Sequence, residues 1–481
     1  MKLAELLKDV NITETHAPGD MEITDVCYDS RRVCAESLFV AINGLGEDRY
    51  AYIEAAVKSG AACVICSRAP VSKIPYLLVE DTLEALALIS ANFFGRPAKK
   101  MKLVGVTGTN GKTTVSHLIK QMLEKLTGKP VGIIGTIHNK VGDTEYEAGS
   151  TTPEAYELHK LFAEMNEAGC EYVVMEVSSH SLAMKRVYGI NYAAAVFTNI
   201  TQDHLDFHGS MEEYARAKSL LFKQTKHAAV NADDEIIAEI MKTAECPLLT
   251  FSAKSDEWDL VAKQIRLHAD KVDFCALEIG MLERTELAIP GVFSVYNALA
   301  TVAGLQLLGF ELPETAKLLP ECHGVKGRAE VVPTGRDFTV IIDYAHTPDA
   351  LENIITTLKA CAKGRVVTLF GCGGDRDKTK RPIMGETAGR LSDYVIVTSD
   401  NPRTERPEDI IEAILGGMTE VKTPYTVIEN RREAIYFALK NAKPGDTILL
   451  AGKGHETYQT IGNESFPFDE REIVAGALIG L

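Results

Sequence analysis

A glycine-rich loop between a strand and a helix constrains the fold of this chain most. Residues 102–114 read KLVGVTGTNGKTT, which predicts an apolar strand, a loop at 108–111 and a helix that begins at Lys112. The backbone N–H groups of such a loop and the positive end of the helix can surround phosphate oxygens. Lys112 can reach a transferable phosphate, and the hydroxyl of Thr113 can ligate Mg²⁺. The segment therefore predicts a nucleoside triphosphate site in an α/β fold.

One position departs from the general phosphate-loop pattern. That pattern has glycine five residues before Gly111, where this chain has Val106. The alternative interpretation is a glycine-rich turn without a ligand. The strand before the loop and the helix after it favour nucleotide binding.

Length and stop signals predict three domains. A chain of 481 residues is long enough for about three, and a helix predicted over 81–94 ends at the stop signal Gly95-Arg96-Pro97. Strands and helices then alternate, which favours a doubly wound, mainly parallel sheet, with a β-rich stretch at 245–290. Strands predicted at 365–370, 394–398, 424–428 and 446–450 indicate a second, Rossmann-like α/β unit. The expected domains are a small α/β domain at 1–98, the central phosphate-loop domain at 99–328 and the Rossmann-like α/β domain at 329–481.

The charge and composition of the chain argue against nucleic acid and membranes as partners. The net charge of −16 argues against nucleic acid, and no uncharged apolar stretch approaches bilayer length. A short amphipathic helix predicted over 1–10 contains acidic residues, unlike a signal sequence. Among the ten cysteines, Cys63 and Cys66 form the one pair with metal-like spacing. On one predicted strand they would face opposite sides, so a shared metal is not expected. We expect a monomer in the reducing cytoplasm, without membrane insertion.

Polar side chains follow two further predicted strands. Glu176 ends an apolar run, where open α/β sheets place ligands, and with Thr113 it would offer Mg²⁺ a carboxylate and a hydroxyl oxygen. The alternative is a carboxylate that accepts hydrogen bonds from loop N–H groups. A dense polar segment after the next strand indicates a metal or phosphate site, although a lone loop histidine is more often only hydrogen-bonded. Its residues are Asp203, His204, Asp206 and His208.

Spacing alone assigns Lys218 no special role, because a lysine on the helix predicted over 211–223 is most often solvated. In the last domain, four polar motifs each follow a predicted strand. The cations of the second motif could bind phosphate or carboxylate, or lie on a surface loop of mixed charge. Asn-Pro in the third is a turn signal, which does not account for Arg403. The motifs are DYAH at 343–346, GCGGDRDKTKR at 371–381, SDNPRTE at 399–405 and GKGHE at 452–456.

Together these motifs resemble those of the Mur ligases of peptidoglycan synthesis. The matching segments come in family order and span nearly the whole chain. They are DSR at 29–31, GTNGKTT at 108–114, MEVSSH at 175–180, TNITQDHLDFHG at 198–209, YN at 296–297, GRAE at 327–330, DYAHTP at 343–348, GCGGDRD at 371–377, DNPR at 400–403 and AGKGHE at 451–456.

The resemblance implies a role for each matching residue. The first domain would bind the UDP group, the middle domain ATP and the muramoyl peptide, and the last domain the incoming amino acid. The implied ATP contacts are Gly108, Thr109, Asn110, Gly111, Lys112, Thr113, Thr114, Asn297, Arg328, Asp343 and His346. The implied substrate contacts are Ser30, Thr151, Thr152, Ser178, Arg186, Arg376, Asp400, Asn401, Pro402, Arg403, Gly452 and Glu456. The implied Mg²⁺ ligands are Thr113, Glu176, His204 and Lys218, with Lys218 as a carbamate formed from CO₂; the implied catalytic groups are Lys112, Lys218, His204 and Arg328.

The resemblance also implies the reaction. ATP would phosphorylate the D-glutamyl γ-carboxylate of UDP-N-acetylmuramoyl-L-alanyl-D-glutamate, and the amine of meso-diaminopimelate would attack the acyl phosphate. Arg403 favours diaminopimelate over lysine, because lysine-adding relatives lack this arginine; Arg376 could assist it, and Glu456 could pair with the distal ammonium. The alternatives are the same reaction with L-lysine, a folylpolyglutamate synthetase, against which DNPR and DSR argue, and an ATPase switch without ligase activity.

Overall fold

The structure, a computed structural model, describes residues 1–44, 47–201 and 203–479. These residues divide into two units: Met1–Leu260 with Ala300–Glu311 form unit 1, and Val261–Leu299 with the chain from Leu312 form unit 2. Within the described ranges, no helix is both long and apolar enough to cross a bilayer. The boundaries expected at residues 98 and 328 stay predictions.

The first part of unit 1 is built on a five-stranded sheet. Its strand order is β1-β7-β6-β3-β2, parallel except for β1, and β4 pairs with β5 separately. Leu38, Ile65 and Leu86 lie in its core. The elements are α1 (Leu3–Leu6), β1 (Ile12–His16), β2 (Val26–Cys27), β3 (Ser37–Val40), β4 (Asn43–Gly44), β5 (Glu47–Asp48), α2 (Ile53–Lys58), β6 (Ala61–Cys66), β7 (Tyr76–Val79) and α3 (Thr82–Phe93).

The N-terminal helix is shorter than the predicted span of residues 1–10. It covers four residues, after which Asp9 adopts a left-handed backbone with φ of 66°. The amide of Asn92 on α3 donates to the carbonyl oxygens of Leu6 and Lys8, which removes these acceptors from a longer helix. So short a helix depends on its packing, and this contact with α3 ends it early.

Cys63 and Cys66 lie on β6 and are both buried, as predicted. Cys63 belongs to the core cluster with Ile65 and Leu86, whereas Cys66 belongs to a second cluster with Phe39 and Val64. The two thiols therefore face opposite sides of the sheet, and the expectation that they share no metal is consistent with this geometry.

The rest of unit 1 contains the phosphate-loop sheet, with the strand order β11-β10-β9-β12-β8-β13-β14-β15. In this order, the strands β9, β12, β8, β13, β14 and β15 are parallel. Strands β10 and β11 form an antiparallel edge beside β9. The predicted doubly wound, mainly parallel sheet is confirmed. The elements are β8 (Lys102–Thr107), α4 (Lys112–Thr127), β9 (Val131–Ile134), β10 (His138–Val141), β11 (Thr144–Glu147), α5 (Ala155–Glu167), β12 (Tyr172–Glu176), α6 (Ser179–Ala183), β13 (Ala194–Phe197), α7 (Leu205–His208), α8 (Met211–Ser219), β14 (Ala228–Asn231), α9 (Ile237–Thr243) and β15 (Leu248–Ser252).

Strand β8 lies between β12 and β13, at the point where the strand order reverses. Glu176 pairs in register with Val106, and Phe197 pairs with Thr107, so the three strands end at the same level. Ligands of open α/β sheets bind at such a position. Val106 is fully buried within β8, so the departure from glycine falls in the strand, before the loop begins.

The remaining elements include the predicted β-rich stretch, where β16, β17 and β18 form an antiparallel ladder. They also include a six-stranded sheet in the order β19-β20-β24-β21-β22-β23, parallel except for β19. The elements are β16 (Leu260–Leu267), β17 (Val272–Glu278), β18 (Met281–Leu287), α10 (Val292–Gln306), α11 (Leu312–Leu318), β19 (Glu330–Val332), β20 (Thr339–Asp343), α12 (Pro348–Cys361), β21 (Val366–Phe370), α13 (Lys380–Leu391), β22 (Tyr394–Val397), α14 (Pro407–Leu415), β23 (Tyr425–Val427), α15 (Arg431–Lys440), β24 (Thr447–Ala451), β25 (Tyr458–Ile461), β26 (Glu464–Pro467) and α16 (Glu470–Ile479).

The carboxyl ends of four parallel strands, β20, β24, β21 and β22, lie side by side in this second sheet. Each is followed by one of the polar motifs, so the fold gathers the four motifs at one edge. Helix α12 starts as predicted: the Thr347 side chain accepts a hydrogen bond from the Ala350 N–H, and Pro348 occupies the first helical position. The predicted Rossmann-like α/β arrangement is confirmed.

Candidate functional site

The loop after β8 has a backbone that requires glycine at two positions. Gly108 and Gly111 have φ of 145° and 86°. A Cβ atom at Gly108 would lie 2.0 Å from the Thr198 hydroxyl oxygen, so the loop passes too close to the end of β13 for any side chain there. Thr198 and Asn199 fix the loop further, because the Thr198 hydroxyl and the Asn199 amide both donate to the Asn110 carbonyl. The loop is thus held in one shape by its neighbouring strand.

Two lysines converge on this loop. The Lys112 ammonium donates to the carbonyl oxygens of Gly108 at 2.9 Å and Thr109 at 2.8 Å. Lys218 Nζ, 110 residues along the chain, lies 2.9 Å from the same Gly108 oxygen. Two lysine amino groups therefore share one carbonyl acceptor, and the Lys112 ammonium suits a phosphate group or another anion.

Lys218 is a buried lysine, which makes the interpretation from spacing alone wrong. Lys218 is 2% exposed, and its Nζ lies 4.6 Å from the ring centroid of Tyr214, one turn earlier on α8. Burial lowers the pKa of Lys218 well below its usual range, and the nearby charge of Lys112 lowers the pKa further. A neutral amine is therefore more accessible here than on an ordinary lysine.

Glu176 lies at the centre of a network of hydroxyl groups. Its Oε2 accepts from the hydroxyls of Thr113 and Thr136, both at 3.0 Å, and its Oε1 accepts from the Thr136 N–H at 2.9 Å. Both interpretations of Glu176 therefore have support, since it binds local donors and contacts Thr113. A buried carboxylate beside a hydroxyl is a donor set that fits Mg²⁺, and a Cβ at Gly135 would meet Glu176 Oε1 at 2.4 Å, so the packing holds the carboxylate in place.

The polar segment at 203–208 contributes histidines at the edge of this site. His204 has a left-handed backbone with φ of 52°, its side chain is 46% exposed, and its ring lies 6.2 Å from the Tyr214 ring. His208 Nε2 lies 2.9 Å from the Ser179 hydroxyl. Tyr214 therefore neighbours both His204 and Lys218. The side chain of Asp206 is outside the described residues.

The predicted peptide-contacting residues gather beside Glu176. The hydroxyl of buried Thr152 donates to the Glu176 carbonyl and accepts from the Ser178 N–H. Arg186 Nη1 donates to the Thr152 carbonyl at 3.1 Å, and the hydroxyls of Thr151 and Thr136 lie 3.1 Å apart. These contacts place four predicted substrate residues close to Glu176, one of the predicted metal ligands.

Ser30 begins a short 3₁₀ turn, Ser30–Arg32, that is tied to helix α5. The Asp29 carboxylate accepts from the Arg31 N–H and caps this turn. Glu157 on α5 binds both Tyr28, at 2.8 Å, and Arg32, at 2.5 Å. The predicted UDP contact is therefore anchored to the helix that follows Thr151 and Thr152 in the chain.

A second site in unit 2 is a cavity of about 450 Å³ at the edge of the six-stranded sheet. Its charged lining has both signs: Arg376, Lys380 and Arg403 are positive, and Asp400 and Glu456 are negative. A cavity with these groups suits a zwitterionic ligand. Gly452 also lines it: the glycine has φ of 112°, and a Cβ there would meet Asp400 Oδ2 at 2.6 Å.

The backbone of Arg403 is strained and fixed by hydrogen bonds. Its φ of 51° is unusual for a residue with a side chain. The hairpin of β25 and β26 holds it: the Arg403 N–H donates to the Thr460 carbonyl at 3.1 Å, and the Gly462 N–H donates to the Arg403 carbonyl at 2.7 Å. Nη1 donates to the Gly374 carbonyl at 2.8 Å, so the guanidinium is held beside the glycine-rich loop.

The cations of the loop at 371–381 have different roles. Arg381 and Lys378 both bind Glu405, and the hydrogen bonds from Arg381 lower the pKa of Glu405 to about 2. These two cations therefore stabilise the loop against the segment after Pro402. Of the predicted alternatives, ligand binding fits Arg376 and Lys380, which line the cavity.

Three of the four predicted ATP contacts in unit 2 lie around Tyr344. Arg328 lies over the Tyr344 ring at 5.2 Å, and the His346 and Tyr344 ring centroids are 4.6 Å apart. Asp343 accepts from the N–H groups of Ala329 and Ala345, and burial raises its pKa. Asn297 is buried on α10. The structure brings Arg328, Asp343 and His346 together, and their role in ATP binding stays a prediction.

Sequence reasoning missed four residues of these sites. Tyr214 had a usable signal, because it precedes Lys218 by four residues and so shares its helix face. Thr136 and Thr460 had no local signal, and Lys453 was noted only as part of the motif at 452–456. Their contacts with Glu176 or Asn401 depend on tertiary folding.

Comparison with known proteins agrees with this geometry. The models of the "Mur ligase middle domain" and the "Mur ligase, glutamate ligase domain" match residues 106–305 and 327–454. A relative from Caldanaerobacter subterraneus subsp. tengcongensis is 48% identical over 478 residues, 98% of each chain. The chain belongs to the Mur ligase family. The predicted family is thus confirmed.

Two further proteins are similar to this Mur ligase over nearly its whole length. A relative from Clostridium acetobutylicum is 44% identical over 99% of this chain and 98% of its own. A solved structure is 30% identical with a TM-score of 0.76, covering 100% of this chain and 99% of the other. The three proteins carry the name UDP-N-acetylmuramoyl-L-alanyl-D-glutamate--2,6-diaminopimelate ligase, numbered 1 in the Clostridium acetobutylicum case.

Proposed function

We propose that this Mur ligase joins meso-diaminopimelate to the D-glutamyl γ-carboxylate of UDP-N-acetylmuramoyl-L-alanyl-D-glutamate, using ATP. The observation that carries the choice of amino acid is the cavity in unit 2, which Arg403 and Arg376 line together with Glu456. The distal end of diaminopimelate bears a carboxylate and an ammonium, which match these groups. Lysine would leave the arginines without a carboxylate partner.

The chemistry turns an inert carboxylate into an electrophile. A γ-carboxylate oxygen attacks the γ-phosphorus of ATP, ADP leaves, and an acyl phosphate forms. The amine of diaminopimelate then attacks the acyl carbon, phosphate leaves with the bridging oxygen, and the amine loses a proton. The protein's contribution is to orient the reactants and to stabilise negative charge.

The loop after β8 supplies the phosphate site. Its glycines allow backbone N–H groups to approach the nucleotide, and Lys112, at the start of α4, would contact the transferred phosphate. Thr113 and Glu176 are suited to hold Mg²⁺, with Thr114 following on the same helix turn. Bound Mg²⁺ would neutralise phosphate charge.

Lys218 is proposed to act as a carbamate. Its neutral amine would attack CO₂, forming an N–C bond, and the loss of one proton would give the anion. The lowered pKa of Lys218 supports this step, because only the neutral amine is nucleophilic. The carbamate would offer an anionic oxygen near Lys112 that a buried lysine otherwise lacks, with His204 as the companion Mg²⁺ ligand.

The other assignments extend the family resemblance to this chain. Arg328, Asn297, Asp343 and His346 are proposed ATP contacts. The UDP group would bind near Ser30, and the peptide near Thr151, Thr152, Ser178 and Arg186. Across the described ranges, which include all ten cysteines, each thiol is free, which suits an enzyme of the reducing cytoplasm. A monomer is also proposed.

Oxygen transfer tests the acyl phosphate directly. With both γ-carboxylate oxygens of the dipeptide substrate labelled with ¹⁸O, we expect one ¹⁸O in the released phosphate for each amide formed, because the bridging oxygen leaves with phosphorus. Mass spectrometry of the phosphate measures this. An ATPase switch would release phosphate whose new oxygen comes from water, and phosphate without ¹⁸O would reject the proposal.

A further inference from the structure

Lys453 is a fully buried lysine beneath the cavity of unit 2. It is 0% exposed, whereas its neighbour Gly452 lines the cavity. Its Nζ donates to Asn401 Oδ1 at 3.0 Å and to Glu456 Oε2 at 3.2 Å, and it lies 5.7 Å from the ring centroid of Phe468. A buried ammonium is costly unless it is paired, so these two contacts explain how it is tolerated.

Asn401 and Lys453 act on the same carboxylate oxygen. The Asn401 amide donates to Glu456 Oε2 at 2.8 Å, the atom that also accepts from Lys453. Asn401 is fixed in turn, because its Oδ1 accepts from the Thr460 N–H at 2.9 Å. Glu456 is therefore held through one oxygen, and its carboxylate still lines the cavity.

We propose that Lys453 is a positioning residue that orients Glu456 to receive the distal ammonium of the amino acid acceptor. The inference deepens the proposed function and rests on it. Lys453 does not touch the acceptor, since it is buried below the cavity. It supplies the positive charge that keeps a carboxylate stable in this place, and it turns the second oxygen of Glu456 towards the ligand.

The role of Lys453 makes a prediction that depends on the acceptor. 2-Aminopimelate has the same carbon chain and both carboxylates but lacks the distal ammonium. For Lys453→Met, we expect the ratio of kcat/KM for diaminopimelate to kcat/KM for 2-aminopimelate to fall about tenfold to a hundredfold. Initial rates of amide formation at saturating ATP and dipeptide substrate give the ratio. Lys440→Met, at an exposed lysine that ends α15, is the matched control and should leave the ratio unchanged.

A double-mutant cycle with Glu456→Gln completes the test. The variant with both substitutions leaves no unpaired buried charge, so it remains measurable even where Lys453→Met alone does not fold. In the Glu456→Gln background we expect Lys453→Met to leave the ratio unchanged. A further tenfold fall in that background, or an equal loss with both acceptors in the single variant, would overturn the inference. Failure of the wild-type protein to form any amide with diaminopimelate would instead reject the proposed function.

Discussion

Lys218→Ala should reduce the rate of amide formation about a hundredfold to a thousandfold, the range found when one stabilising group is removed from an active site. The lysine is buried beside the phosphate loop, and its pKa is lowered by burial. Alanine cannot form a carbamate, so the anionic oxygen proposed for this position is lost. Initial rates with saturating substrates measure the effect, and Lys223→Ala, at an exposed lysine four residues after the end of α8, should retain full activity.

Rescue by small molecules separates the carbamate from a purely structural lysine. Formate or acetate can enter the space left in Lys218→Ala and supply a carboxylate, so we expect partial recovery of the rate with concentration. Rates of the wild-type protein should also fall after CO₂ is removed from the buffer and return when bicarbonate is added. A folded Lys218→Ala protein that no short carboxylate restores would contradict the carbamate.

Arg403→Ala should lower kcat/KM for diaminopimelate about a hundredfold to a thousandfold and raise the low activity with lysine. The guanidinium is held at the cavity by a strained backbone and by the Gly374 carbonyl, so it is prepared for a carboxylate. Loss of the bidentate partner removes binding to diaminopimelate and also removes the unpaired charge that rejects lysine. Competition between the two amino acids, read by the mass of the nucleotide product, measures the change.

Arg406→Ala is the matched control for Arg403. Arg406 lies three residues further on, and its side chain is 74% exposed. We expect this variant to keep the preference for diaminopimelate. If Arg403→Ala retains the wild-type preference as well, another part of the cavity selects the amino acid, and the role given to Arg403 is wrong.

The main elements of both sheets could be predicted from the sequence because their signals are local. An apolar run before a glycine-rich loop gave β8 and α4, and the Thr347-Pro348 pair gave the start of α12. Parallel strands end at one edge of a sheet, which explains why motifs that each follow a predicted strand meet there in the structure. The shortening of the N-terminal helix was not predicted, because it depends on Asn92, which is distant in sequence. The amide of Asn92 donates to the Leu6 carbonyl at the end of this helix.

Local sequence patterns could not predict the roles of side chains that depend on tertiary contacts. Nothing around Lys218 distinguishes it from a solvated lysine, because the carbonyl that it contacts belongs to Gly108. Its role entered only through the family resemblance. The motif at 452–456 contains Lys453 but did not reveal its role, since its partner Asn401 comes from the end of another strand. The pairing of Arg381 with Glu405 likewise decides which loop cations can meet a ligand.

The most direct test of the account is whether nucleotide product depends on the amino acid acceptor. The wild-type protein is incubated with ATP, Mg²⁺ and UDP-N-acetylmuramoyl-L-alanyl-D-glutamate, with meso-diaminopimelate, with L-lysine or without an acceptor. The account predicts rapid phosphate release and a product heavier by one diaminopimelate residue in the first case, and slow release in the other two. Equal phosphate release in all three, or a product that contains lysine in preference to diaminopimelate, would contradict it.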